Sequence, residues 1–236
     1  DGKEDEKKEK FIAALEQAGQ PVYRIVLPDT LAIGGEFWCW EFATAVAGKL
    51  LGVNPFDEPN VSEAKSSTNT LLDLWRANGV LSTDEPAQSP GHYDLFGTPG
   101  ISSISELLDS IRENDYFAQL IYFPKEEQRH QLLEDIRGSI GHDKAIATTL
   151  DYGPRYLHST GQLHKGGANN GVFLMITSDA VDNMPIPGTD YDFQTLHMAK
   201  ALGDFQSLKK KGRRAVRLHL KGDPADALKA IRAELG

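Results

Sequence analysis

The sequence predicts an α/β fold, a three-layer sandwich with a largely parallel sheet. Two observations lead there. Short apolar runs alternate with amphipathic stretches over the second half of the chain, as strands and crossover helices do. Composition is that of an ordinary globular protein, with 40% hydrophobic and 25% charged residues and no repeat of solenoid period. At 236 residues there is room for one large domain, or for one domain and a piece of another.

The elements follow in order. "DGKEDEKKEK" has no apolar residue and reads as a solvated lead-in. Phe11 to Ala18 then suit a short helix stopped by Gly19. "PVYRIVLP", bracketed by prolines and rich in β-branched residues, reads as a short buried strand. "GGEFWCWEFATAVAGKLLG" leaves little polar surface, as in a helix buried on most sides. Its Trp38 and Trp40 suit a core or an interface, and Glu41 suits a buried, hydrogen-bonded structural carboxylate. A turn around Pro55 and Pro59 leads to a helix starting near Asn60, a suitable N-cap, and running toward Trp75.

Residues 79–100, rich in Pro, Gly, Ser and Thr, read as a linking loop with one short strand near Tyr93–Phe96. The regular alternation then begins: a helix near 101–113, the strand "FAQLIYF", the helix "KEEQRHQLLEDIRGSI" and the strand "KAIATTL". After a Gly-rich segment come the strand "VFLMIT", a helix around 192–210, the strand "RAVRLHL" and the final helix "PADALKAIRAEL".

Charge and cysteine usage narrow the partners. With 25 Lys+Arg against 34 Asp+Glu the chain carries −9, which repels nucleic acid and anionic lipid, so an anion site must be local. The single cysteine, Cys39, excludes an intramolecular disulfide and a cysteine-rich metal site, and favours a reducing, cytoplasmic setting. No apolar run approaches the ~20 residues of a membrane span.

The segment "PRYLHSTGQLHKGGANNG" (residues 154–171) carries the densest chemistry. It follows a predicted strand of a parallel sheet, on the side where such sheets bind ligands. Ser159, Thr160, Gln162 and the backbone near Gly166 and Gly167 have the hydrogen-bonding groups for sugar hydroxyls or a phosphate. An ordinary connection between elements is the competing reading. The pattern is neither a Walker loop nor GxGxxG, and two histidines six apart make a poor metal site. His92, His130, His142, His197 and His219 are expected on surface loops or helix faces.

"GEFWCWEFATAVAGKLLGVNPFDEPNVSEAK", "GPRYLHSTGQLHKGGANNGVFLMIT" and "IPGTDYDFQTLHMAKALGDFQSLKKKGRRAVRLHL" resemble the glucose-6-phosphate isomerase family. The second and third are most similar to the isomerase portion of bifunctional transaldolase/glucose-6-phosphate isomerases. The resemblance implies a sugar-isomerase (SIS) fold: residues 1–12 as charged lead-in, 13–80 as the helical tail of a first lobe, and 81–236 as a second α/β lobe. It implies aldose–ketose isomerisation of glucose 6-phosphate and fructose 6-phosphate by ring opening and then an enediol. Lys65 and His158 match its ring-opening lysine and histidine, and proton shuttling of this kind suits a histidine near neutral pKa. His164 and Lys165 have no such match and stand as candidate substrate contacts beside Ser159, Thr160 and Gln162.

No metal or organic cofactor is implied, because an enediol route needs only proton-transfer groups and fixed charge. Expected partners are a sugar phosphate, an upstream isomerase lobe, a fused transaldolase domain, and a second copy of the chain through the aromatic helix at 37–51. The family's S-x-S-G-x-T phosphate loop and E-S-x-G-K glutamate stretch have no counterpart in the 236 residues. The expectation is therefore a C-terminal portion with little isomerase activity alone. A non-catalytic sugar-phosphate-binding or assembly module of the same fold is the alternative.

Overall fold

A computed structural model describes residues 5–57, 59–82, 84–180 and 182–235. The chain divides into two compact units, Asp1–Asp57 and Glu58–Gly236.

The first unit holds two helices, α1 (Glu6–Gln17) and α2 (Ala32–Leu51). Helix α1 begins inside the charged stretch read as a solvated lead-in, with Glu6 and Glu9 in its first turn, where acids complement the helix dipole. "PVYRIVLP" forms no strand. It has no paired neighbour, and Tyr23 and Val26 are almost fully exposed. Helix α2 starts where Asp29 Oδ1 accepts from Ala32 N at 2.9 Å and ends at Gly52, whose φ of 71° is the left-handed cap that glycine permits. It is not the buried helix the sequence suggests: Trp38 is 63% exposed, Leu50 82%, and Glu41 is exposed too. Apolar composition forms the helix, but burial needs a partner face, and within the described residues only Gly48 of α2 is buried.

The second unit is α/β. Its helices are α3 (Pro59–Asn78), α4 (Ile104–Asp109), α5 (Glu127–Lys144), α6 (Thr160–Gly166), α7 (Phe193–Lys210) and α8 (Pro224–Glu234). Its strands are β1 (Tyr93–Gly97), β2 (Tyr116–Tyr122), β3 (Ala147–Tyr152), β4 (Gly171–Ser178) and β5 (Arg214–Leu220), in the order β1-β5-β4-β2-β3. All pairs are parallel except β1–β5, which is antiparallel. Asn60 lies within α3 and not at its cap, and the helix expected at 101–113 shrinks to α4.

Alternation along each strand sorts the core into two layers. Phe117, Ile121, Leu174 and Val216 face Leu133, Ile136, Leu228 and Ile231 of α5 and α8. Ala118, Leu120, Phe173 and Met175 face Tyr156 and, from α7, Ala201, Phe205 and Leu208. Central β4 is buried along its whole length, which explains its apolar run Val172–Ile176.

Helix α3 does not stay with the first unit. It packs antiparallel on α7 through Leu71 and Leu72 against Ala199 and Leu202. Glu63 pairs with Lys210 and Lys211 at one end, and Arg76 pairs with Asp190 at the other.

Candidate functional site

Strand order places a crevice at the carboxyl end of this sheet. The connection leaving β2 runs through α5 on one face, and the one leaving β4 runs through α7 on the other. β2 and β4 are neighbours, so their connections diverge at their carboxyl ends, which is where open α/β sheets bind ligands. A cavity of about 640 Å³ lies there. Its walls are Tyr122–Lys125 after β2, Tyr152–Arg155 at the end of β3, Ser178, Asp179, Ala180, Asp182 and Asn183 after β4, and the first two turns of α7.

The site is built by local hydrogen bonds. Asp192 caps α7 by accepting from Thr195 N at 2.7 Å, and Asn183 donates to the same carboxylate at 2.6 Å. Gln194 fastens the loop after β4: its carbonyl accepts from Ala180 N at 3.0 Å and its amide donates to Asp179 at 2.9 Å. On the opposite wall the Tyr122 ring fills the space beside Gly153. A Cβ there would lie 2.4 Å from the ring, so only glycine fits. His197 closes the floor, its ring 5.4 Å from Tyr122 and its Nε2 3.3 Å from the Gly153 carbonyl. Burial holds the His197 pKa below the ordinary imidazole value, with the Gly153 bond opposing and Lys200 assisting.

Three cationic side chains, Lys125, Arg155 and Lys200, line the crevice against two carboxylates, Asp179 and Asp182. In a chain of net charge −9 this is a local cationic excess. Tyr152, Phe193 and Leu196 add apolar wall. Apolar walls with a few convergent polar groups are what a small-molecule site requires. Among the described residues, no group of three or more His, Cys, Asp or Glu side chains could hold a metal ion.

The residues singled out in the sequence lie beside this crevice and not in it. Residues 154–171 are mostly helical: a 3₁₀ turn at Arg155–His158, then α6, forming the crossover from β3 to β4. Tyr156 turns into the core, while Arg155 and His158 are exposed. His158 ends the 3₁₀ turn that begins at the crevice-lining Arg155 and does not itself line the crevice. Ser159 is exposed and donates to the Tyr156 carbonyl at 3.3 Å. Thr160 donates to Asp151 at 3.3 Å, and Gln162 is half-buried.

His164 and Lys165 are buried, at 2% and 3% exposure. Lys165 forms an ion pair with Asp204 of α7, whose other oxygen accepts from the Tyr156 hydroxyl and, at 3.3 Å, from Tyr122. Burial and the Asp204 charge raise both tyrosine pKa values well above normal. His164 Nδ1 lies 2.9 Å from the Tyr116 hydroxyl, and burial pushes its pKa down to about 4.

Lys65 is exposed on α3, between Glu63, which pairs at the carboxyl end of α7, and Ser67, which packs on Gly203. The crevice is at the opposite end of α7. Helix α3 contacts α6, the helix that follows the turn carrying His158. Sequence reasoning missed His197, Lys200 and Lys125. Placement of His197 and Lys200 just after the loop that leaves a predicted strand was the available signal.

No family model matches the chain. It is similar to the glucose-6-phosphate isomerases of two strains of Leptospira biflexa serovar Patoc, at 38% identity over 63 residues, which is 26% of this chain and 14% of each relative. Among solved structures it is similar to a hypothetical protein from Thermus thermophilus, with a TM-score of 0.44 and 19% identity over 55% of this chain and 37% of that one.

Proposed function

We propose that the second unit binds a sugar phosphate in the crevice at the ends of β2, β3 and β4, as part of an aldose–ketose isomerase of the glucose-6-phosphate isomerase type. The observation that carries this reading is the crevice itself, at the point where the connections diverge, with Lys125, Arg155 and Lys200 beside apolar walls. The short similarity to glucose-6-phosphate isomerases supports the substrate class. Cations on the rim hold the phosphate, and the aromatic walls take the sugar face. Lys65 and His158 are the candidate ring-opening groups. His158 closes the turn that begins at crevice-lining Arg155, with Ser159, Thr160 and Gln162 beside it, while Lys65 lies toward the other end of α7. The SIS fold type belongs to the same proposal.

Calorimetric titration tests it. Glucose 6-phosphate binds and unphosphorylated glucose does not, and Arg155→Gln with Lys200→Gln weakens binding about tenfold or more, the scale of a charge-assisted hydrogen bond. Equal affinity for glucose and its 6-phosphate overturns the reading.

One observation favours a second reading, a sugar-phosphate-binding or assembly module without catalysis: neither Lys65 nor His158 lines the crevice. Under that reading, Lys65→Ala and His158→Ala leave isomerase turnover unchanged wherever turnover is measured. Under the first they reduce it by about 10²-fold or more while folding is intact.

A further inference from the structure

We propose that His197 is the group that selects hydroxyl-bearing ligands in this crevice, accepting a hydrogen bond from a ligand hydroxyl through Nδ1. The inference rests on the sugar-phosphate reading and assigns it a specificity residue. Three observations carry it.

The first is the tautomer. The nearest polar partner of the ring is the Gly153 carbonyl, 3.3 Å from Nε2. A carbonyl oxygen can only accept, so Nε2 carries the proton and the neutral ring keeps Nδ1 as an acceptor.

The second is how firmly that arrangement is held. Gly153 packs directly on the Tyr122 ring, and the same ring flanks His197. The Tyr122 hydroxyl is anchored below on Asp204, which is itself paired with Lys165. The buried network under the floor thus fixes both the wall that accepts from Nε2 and the ring that carries Nδ1.

The third is the setting. Lys125, Arg155 and Lys200 offer only donors to a ligand, as a phosphate requires. A hydroxyl must also donate its own proton. The two crevice carboxylates, Asp179 and Asp182, are exposed, and Asp179 already accepts from Gln194, whereas the half-buried imidazole offers its acceptor on the crevice floor.

Two substitutions separate the ring's two nitrogens. In His197→Gln the side-chain amide reaches the Nε2 position and still donates to Gly153, but the Nδ1 acceptor is gone. In His197→Asn the amide oxygen falls near the Nδ1 position and keeps an acceptor. Titrations use glucose 6-phosphate and inorganic phosphate as probes, followed by NMR. The expected result is a three- to tenfold loss of glucose 6-phosphate affinity in His197→Gln, a smaller loss in His197→Asn, and unchanged phosphate affinity in both. In the wild type, the His197 Nδ1 resonance shifts with glucose 6-phosphate and not with phosphate, a readout that needs no variant to fold.

If the wild type binds glucose 6-phosphate but His197→Gln binds it equally well, the His197 inference is overturned and the crevice assignment stands. A parallel loss for inorganic phosphate also overturns it, since His197 would then act on the site's general structure. If the wild type binds neither probe, the underlying sugar-phosphate reading falls.

Discussion

His164 makes stability depend on pH in a window that can be worked out in advance. The ring is 2% exposed, sits among Tyr116, Tyr156 and Phe173, and has no hydrogen-bond partner for Nε2 among the described residues. Burial is the largest influence and lowers its pKa from 6.5 to about 4. Asp151 and Asp204 oppose the shift, and Lys165 and Arg213 reinforce it. In the unfolded chain His164 takes up a proton near pH 6.5, while in the folded chain it stays neutral until about pH 4. The unfolded state therefore binds more protons between those values, and stability falls as pH falls through the window. Each pKa unit corresponds to about 1.4 kcal/mol, so the loss between pH 7 and pH 4.5 from this one ring is about 2 kcal/mol.

His197 and His219 are also depressed by burial and act in the same direction. The quantity that isolates His164 is therefore the pH-dependence of the wild type minus that of His164→Phe, measured by urea denaturation followed by circular dichroism. The difference between the two curves should grow by about 2 kcal/mol from pH 7 to pH 4.5, whatever the absolute stability of the variant. NMR supplies a second check, since the His164 ring resonance should not titrate until near pH 4. Parallel stability curves, or a ring that titrates near pH 6.5, refute the reasoning.

Other outcomes follow from the same core. Lys165→Met leaves Asp204 buried and without its cation, and should cost about 3–5 kcal/mol of stability. Lys165→Met with Asp204→Leu should recover part of that loss, and a single-variant loss under about 1 kcal/mol would show the pair to be unimportant. Gly153→Ala drives a methyl into the Tyr122 ring and should cost about 1–3 kcal/mol, read as a lowered melting temperature. It should also shift the His197 ring resonances, and unperturbed resonances would show that the two walls are not coupled.

The sheet was legible because its strands announce themselves. "FAQLIYF" and "VFLMIT" are apolar enough to require cover on both faces, "RAVRLHL" sets Ala215, Val216, Leu218 and Leu220 among three polar residues, and each is a strand. The short strand near Tyr93 was also found, although its antiparallel pairing with β5 was not, since pairing direction is set by tertiary packing. Two misreadings share one cause, that composition does not reveal what an element packs against. "PVYRIVLP" has strand chemistry and no strand to pair with. Helix α2 has the chemistry of a core and large exposed aromatic side chains.

Residues 154–171 misled differently. Glycines and polar residues suggested a loop, but Tyr156, Leu157 and His164 bury one side of a helical crossover against the sheet. The crevice had no motif to find. It arises from the divergence of two connections and from a backbone carbonyl, Gly153, none of which a residue pattern encodes.

The most direct test is to locate bound glucose 6-phosphate by chemical-shift mapping on the ¹⁵N-labelled chain. The account predicts saturable shifts confined to the segments after β2, β3 and β4 and to the first two turns of α7, centred on Arg155, His197 and Lys200. Shifts centred instead on α3 and α6 around Lys65, with the crevice silent, would contradict it.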